Sequence, residues 1–151
     1  MLKNILICFF CFLFISIANA KQIKITSDKL EIDRSANISI FSGKVYALED
    51  NLEIWSEKLI VTSSEDEKRV KEINAYGNVK ILREELSING NEAKYHPNKN
   101  TLVVFGEVEV IQNKNIILCD KIVVDLENSS SIMSSDNISR VEALIISENE
   151  N

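Results

Sequence analysis

The feature that most constrains the fold of this chain is a short phrase that occurs four times. It reads ITSDKLEI from residue 25, IWSEKLIV from residue 54, INGNEAKY from residue 88 and ILCDKIVV from residue 117, at intervals of 29, 34 and 29 residues. A glycine phrase precedes the last three copies, as FSGKVYA, AYGNVKI and VFGEVEV, and its glycine stands eleven residues before the isoleucine each time. Self-similarity at such a period indicates a chain built from adjacent copies of one structural unit.

Each unit has the alternation of a β-strand. Apolar residues occupy every second position after the glycine, as with Val45 and Ala47, and this places them on one face of a pleated strand. The polar stretches that follow, 49–51, 83–85 and 112–115, predict hairpin turns. The sequence therefore predicts an antiparallel all-β chain of about a dozen or more short strands. A long β-helix solenoid is the alternative architecture.

The repeated phrase itself predicts a bend. Ile54 and Leu59 are five residues apart, so in a regular strand their side chains would point to opposite faces. Both reach one core only across a bulge or corner, and the small Ser56 followed by the acidic Glu57 suits such a corner. Residues 63–72 lack an apolar stripe and predict a longer solvated loop. A jelly roll or sandwich fits these bends better than a solenoid does.

The first twenty residues have the pattern of a signal peptide. A lysine near the start, an apolar run from Ile5 to Ile17 and a small-x-small triplet ending at Ala20 predict secretion and cleavage. The run is shorter than the roughly 20 residues of a membrane-spanning helix, although an uncleaved anchor is the alternative. We therefore expect a signal segment, 1–20, and one domain, 21–151, which retains a single cysteine and so no internal disulfide.

Charge and motifs argue against several classes of function. The formal net charge is −6 at pH 7, which disfavours a nucleic-acid partner. The chain lacks the HExxH, GxSxG and glycine-rich phosphate-loop motifs. Its one histidine, His96, lies in a polar turn beside a proline, and Cys119 occupies the small position of the repeated corner. We expect no catalytic residue, no metal site and no cofactor.

The chain contains, in this order, a signal segment, I-x-S-D-K-L, F-x-G-x-V, A-Y-G-N-V and a final G-x-V and D-K-I pair. This ordered set resembles the OstA-like (LptA) family of periplasmic lipopolysaccharide-transport proteins. The likeness runs from Ile25 to about Ile146. It implies a twisted, partly open antiparallel β jelly roll that joins end to end and carries lipopolysaccharide through the periplasm without catalysis. The acyl chains of the lipid would travel in the apolar interior.

The resemblance also implies partners. An LptC-like protein of the inner membrane would dock at the N-terminal edge, near 22–26, and an LptD-like outer-membrane barrel at the C-terminal edge, near 139–147. Further copies of the chain would join head to tail between them. Because the chain and lipopolysaccharide are both anionic, we expect sugars and phosphates to stay in solvent and binding to depend weakly on salt.

The apolar residues on one side of the strands are the candidate lining of this interior. A closed protein core is the competing interpretation of the same residues. Two other functions compete with transport, namely a membrane-anchored LptC-like component and a structural β-repeat protein without a lipid ligand. The candidate lining residues are Ile25, Leu30, Ile32, Phe41, Val45, Ile54, Leu59, Val79, Ile81, Ile88, Tyr95, Val104, Val108, Val110, Ile117, Ile122 and Val124.

Overall fold

The computed structural model of the protein describes residues 22–66, 68–136 and 139–147. The expected signal segment, 1–20, lies outside these ranges. The described part contains ten strands and one short 3₁₀ turn. They are β1 (Ile23–Thr26), β2 (Lys29–Asp33), β3 (Ile38–Glu49), β4 (Leu52–Ser63), β5 (Val70–Arg83), β6 (Leu86–His96), the turn Pro97–Lys99, β7 (Thr101–Gln112), β8 (Asn115–Asp125), β9 (Ser130–Ser134) and β10 (Glu142–Leu144).

All ten strands belong to one open antiparallel sheet. Its order is β1-β3-β4-β5-β6-β7-β8-β10, with β2 also paired to β3 and β9 also paired to β8. Within the described residues the two edges of the sheet do not pair with each other, so the sheet does not close into a barrel. The predicted all-β, partly open antiparallel fold is confirmed, and the solenoid alternative is excluded because neighbouring strands run in opposite directions.

The expected number and length of the strands were wrong in detail. The six central strands are 11 to 14 residues long, because each continues through the predicted bend as a bulge. Only the first copy of the repeated phrase separates into two strands, β1 and β2. The predicted loop at 63–72 is also too long, since Val70 already pairs with Ser63 and packs against the core.

Each bulge lies where a copy of the repeated phrase on one strand pairs with a glycine phrase on a neighbouring strand. The pairing register shifts at each of them, between Tyr76 and Val79 for example. In each glycine phrase the glycine and the next residue both have positive φ, a conformation that costs a glycine little because it has no Cβ. These pairs are Gly43 and Lys44 (80° and 46°), Gly77 and Asn78 (79° and 46°), and Gly106 and Glu107 (78° and 48°).

The acidic or amide residue of the repeated phrase lies over the glycine of the next unit. A Cβ on Gly77 would come within 2.6 Å of the Glu57 carboxylate, and one on Gly106 within 2.7 Å of the Asn91 amide. The two phrases are therefore the two sides of one corner. The predicted bend is confirmed, with its left-handed residues in the glycine phrase.

The bulges divide the sheet into two arms. Arm 1 consists of β1, β10 and the parts of β3 to β8 next to the turns at 50–51, 84–85 and 113–114. Arm 2 consists of β2, β9 and the parts of the same strands next to the opposite turns. The inner faces of both arms contribute to one hydrophobic core. Its least exposed large side chains are Leu59, Ile81, Ile88, Leu102, Ile122, Val45, Val79, Val104, Val108 and Val110.

Candidate functional site

Apolar side chains form rows that cross the inner face from one edge of the sheet to the other. Residues directly opposite each other in an antiparallel pair share a face, so the register identifies each row. The row of arm 1 is Ile25, Ala47, Ile54, Ile81, Ile88, Val110, Ile117 and Ala143. The row of arm 2 nearest the bulges is Leu30, Phe41, Leu59, Ala75, Ala93, Val104, Ile122 and Met133.

The register and burial place all the candidate lining residues on this inner face, and most of them are buried. Leu30 and Ile32 differ, because they lie on the edge strand β2 and are 49% and 61% exposed. The contact of lipid with any of the candidate lining residues stays a prediction. Sequence reasoning missed four large core residues, although the alternation that identified their neighbours could have found them: Leu52, Val61, Ile73 and Leu102.

The centre of the interior is closed by the protein's own side chains. Leu59, Val104 and Ile122 are 0% exposed, so the two inner faces pack together there. These three side chains therefore leave no exposed surface at the centre of the interior. This observation also fits the competing interpretation of a closed core.

The interior opens at both ends of the sheet. At the N-terminal edge the exposed side chains of Leu30 and Ile32 continue the inner face. At the C-terminal edge a cavity of about 250 Å³ lies between the arms. Its lining includes Val110, Ile117, Val124, Met133, Ile145, Arg83 and Gln112.

The long opening between the tips of the two arms, which we call the seam, is bridged by polar side chains. Arg83, at the tip of arm 1, donates a hydrogen bond from Nη1 to the carbonyl oxygen of Leu126 over 2.9 Å. Leu126 directly follows the end of arm 2. Also across the seam, the Tyr95 hydroxyl faces the Glu49 carboxylate; burial, and then this carboxylate, raise the pKa of Tyr95.

Sequence reasoning missed the seam contacts, because it assigned Glu49 and Arg83 to hairpin turns. Both are instead the last residues of strands and belong to one inner row. Glu49 is 5% exposed and Tyr95 is 4% exposed. A signal was present, since Glu49, Arg83 and Gln112 each follow their glycine by six residues.

The outer face of arm 1 contains an aromatic pair. The rings of Tyr46 and Trp55 are 5.2 Å apart, and the Lys80 ammonium lies 5.6 Å from the Trp55 ring. The Tyr46 hydroxyl donates to Glu53 over 2.7 Å. These neighbours account for the partial burial of Trp55, whose outward position follows from its register.

His96 and Cys119 belong to residue types that are common in reactive sites, but both occupy ordinary structural positions here. His96 is the last residue of β6, with Nε2 3.5 Å from Oε2 of Glu72. Cys119 is 6% exposed, and burial raises the pKa of its thiol. Among the described residues, no three His, Cys, Asp or Glu side chains form a group that could hold a metal ion. No helix in this part of the chain is long and apolar enough to cross a bilayer.

A solved structure has a similar fold. It is LptH, the LptA homologous periplasmic component of the conserved lipopolysaccharide transport device from Pseudomonas aeruginosa. The two chains superpose with a TM-score of 0.76 at 16% sequence identity, over 84% of this chain and 96% of LptH. The comparison with curated protein sequences finds no match. The family model described as "LptA/(LptD N-terminal domain) LPS transport protein" matches residues 24–130, and the chain belongs to this family of lipopolysaccharide-transport proteins.

Proposed function

We propose that the protein is a periplasmic bridge that binds lipopolysaccharide and holds its acyl chains between the inner faces of the two arms. The observation that carries this proposal is the pair of apolar rows that run from edge to edge of the sheet. The opening of the interior at both ends and the family of the chain also support it. The protein acts by binding and performs no catalysis.

The energetics of lipid transfer favour such an interior. Each methylene removed from water contributes about 0.8 kcal/mol, so a lipid with dozens of methylenes resists exposure by tens of kcal/mol. Attraction to aliphatic side chains is non-directional, and a chain can therefore slide along the rows without losing a specific bond. The net charge of −6 favours keeping the anionic head group in solvent.

The two sheet edges are the proposed docking sites. The backbone of an edge strand has unpaired groups that can pair with a strand of another molecule. Strand direction alternates across the sheet, so β9 of one copy and β2 of the next run antiparallel when one sheet continues the other. We assign the β1 and β2 edge to an LptC-like protein and the β9 and β10 edge to an LptD-like barrel, with further copies joined head to tail.

A structural β-repeat protein without a lipid ligand is the second candidate. The observation that favours it is the closed centre, where Leu59, Val104 and Ile122 have no exposed surface. The two candidates differ in whether hydrocarbon can enter the inner face.

Photo-cross-linking to purified lipopolysaccharide separates them. A benzoylphenylalanine replaces Phe41, which is partly buried on the inner face, or Phe105, which is 36% exposed on the outer face. The proposal predicts lipid adducts from position 41 and few from position 105. Equal yields from the two positions, or no adduct from either, would support the protein without a lipid ligand.

A further inference from the structure

The interior has to widen before it can hold a lipid with several acyl chains. The cavity at the C-terminal edge is about 250 Å³, which is below the roughly 300–1,000 Å³ of ordinary small-molecule pockets. The centre is closed by buried side chains. Because neighbouring strands remain hydrogen-bonded within each arm, the available movement is separation of the arms at the seam.

One position of the repeat places a side chain at the seam in every unit. Glu49, Arg83 and Gln112 stand six residues after their glycines. The register puts them in one inner row, in which Leu52 and Leu86 alternate with them. The rim of the apolar face thus has three polar side chains at equal spacing.

Two spaces of different volume lie along the seam beside this position of the repeat. Where Arg83 and Glu49 contact the opposite arm, the gap is a cleft of about 140 Å³, lined also by Tyr95 and Leu126. Gln112 is exposed and lines the larger cavity at the C-terminal edge. Arg83 lines both spaces, so the wider part of the seam begins at its side chain and extends past Gln112.

We propose that Glu49 and Arg83 are gate residues of the lipid slot, and that their contacts with Tyr95 and the Leu126 carbonyl must break before acyl chains enter between the arms. This inference rests on the proposed function. Hydrocarbon can replace the apolar contacts between the arms, but it cannot replace a hydrogen bond to a carbonyl oxygen. Bound lipid therefore compensates for the loss of the apolar contacts between the arms, but not for the loss of these polar contacts.

A lock across the seam tests the gate. Cysteines replace Glu84 and Glu127, which are exposed neighbours of Arg83 and Leu126, in a chain in which Cys8, Cys11 and Cys119 are replaced by serine. A short bis-maleimide then ties the two turns together. We expect the linked protein to lose at least tenfold in lipopolysaccharide adducts from benzoylphenylalanine at Phe41, and the unlinked protein to keep them. Equal yields with and without the link would overturn the gate.

A second variant tests whether removing a gate contact speeds the entry of lipid. Arg83→Leu removes the hydrogen bond and places a leucine in a row that already contains Leu52 and Leu86. We expect adducts at Phe41 to form about tenfold faster, since a hydrogen bond to a charged group stabilises the closed state by about that factor. Lys94→Leu makes the same kind of change on the outer face and leaves the rate unchanged. An unaltered rate in Arg83→Leu would contradict the gate, whereas no adduct even in the wild-type chain would overturn both the gate and the proposed function.

Discussion

Single residues at the corners determine whether each strand can continue through its bulge. Gly77 has a φ of 79° and lies against the Glu57 side chain, while the next residue, Asn78, has a φ of 46°. A side chain at the first of these positions is strained by both its backbone conformation and its space. Asparagine tolerates the left-handed conformation better than most residues do.

We therefore expect Gly77→Ala to lower the free energy of unfolding by about 1–3 kcal/mol. Asn78→Gly is the control: it keeps the positive φ and loses the hydrogen bond that the Asn78 amide donates to the Glu57 carboxylate on the exposed side of the corner, and it should change stability by about 1 kcal/mol or less. Urea unfolding followed by Trp55 fluorescence measures both. A loss in the control as large as that in Gly77→Ala would refute this account of the corner.

The thiol of Cys119 should be protected in the folded chain. Burial raises its pKa, so at pH 8 less of it is thiolate than in an unfolded chain, and reagents reach it poorly. Its contribution to stability is present below the thiol's unfolded pKa and decreases as the pH rises through the higher folded value. In residues 21–151, where it is the single cysteine, we expect slow reaction with a disulfide reagent in buffer and fast reaction in urea. Fast reaction in buffer would mean that this corner opens readily.

For single residues, the sequence could predict only those features that neighbouring residues in the chain specify. Alternation with a period of two identified the inner-face residues, and the polar stretches identified the hairpins, because both patterns arise between neighbours in the chain. The bridge from Arg83 to Leu126 joins residues 43 apart, and no local pattern specifies such a pairing. The face of Glu49 did follow from the alternation of Val45 and Ala47, but its charge and its place in a polar stretch favoured a turn.

At the scale of elements, the C-terminal strands are held differently from the others. Asp120 occupies the corner position of the fourth unit, where no glycine phrase follows. Its Oδ2 instead accepts hydrogen bonds from the Asp136 amide, over 2.8 Å, and from the Ser139 hydroxyl. The carboxylate thereby holds the connection between β9 and β10, both of which are largely exposed.

We expect Asp120→Ala to release β10 while the central strands stay folded. The hydrogen bonds from Ser139 and from the Asp136 amide lower the pKa of Asp120, so their stabilisation is present above the ordinary value of 3.8 and is lost as the pH falls through the lower folded value. Amide spectra should therefore show Leu144 ordered at pH 7 and increasingly mobile as the pH is lowered below 3.8, and mobile already at pH 7 in Asp120→Ala. An unchanged Leu144 in the variant would show that Asp120 does not hold this element.

At the scale of the whole molecule, the apolar rows predict the register between copies. Met133 ends the inner row of arm 2 at one edge, and Leu30 begins it at the other. If a second copy continues the sheet, these two side chains lie opposite each other. Ser134, the neighbour of Met133, lies on the outer face.

In a chain in which Cys8, Cys11 and Cys119 are replaced by serine, we expect Met133→Cys mixed with Leu30→Cys to form disulfide-linked dimers on oxidation. Ser134→Cys with Leu30→Cys is the control, and it should form several-fold fewer because its side chain faces the other way. Non-reducing gels measure the yields. Equal yields for the two pairs would mean that the copies join in another register or meet only by collision.

The central claim is that hydrocarbon occupies the space between the inner faces. Isoleucine methyl groups report on it directly, because Ile25, Ile54 and Ile81 lie on the inner row whereas Ile60 and Ile132 lie on the outer face. Nuclear Overhauser contacts between the acyl methylenes of bound lipopolysaccharide and these methyls should be found for the inner residues and be absent for the outer two. Contacts with the outer methyls alone would contradict the account.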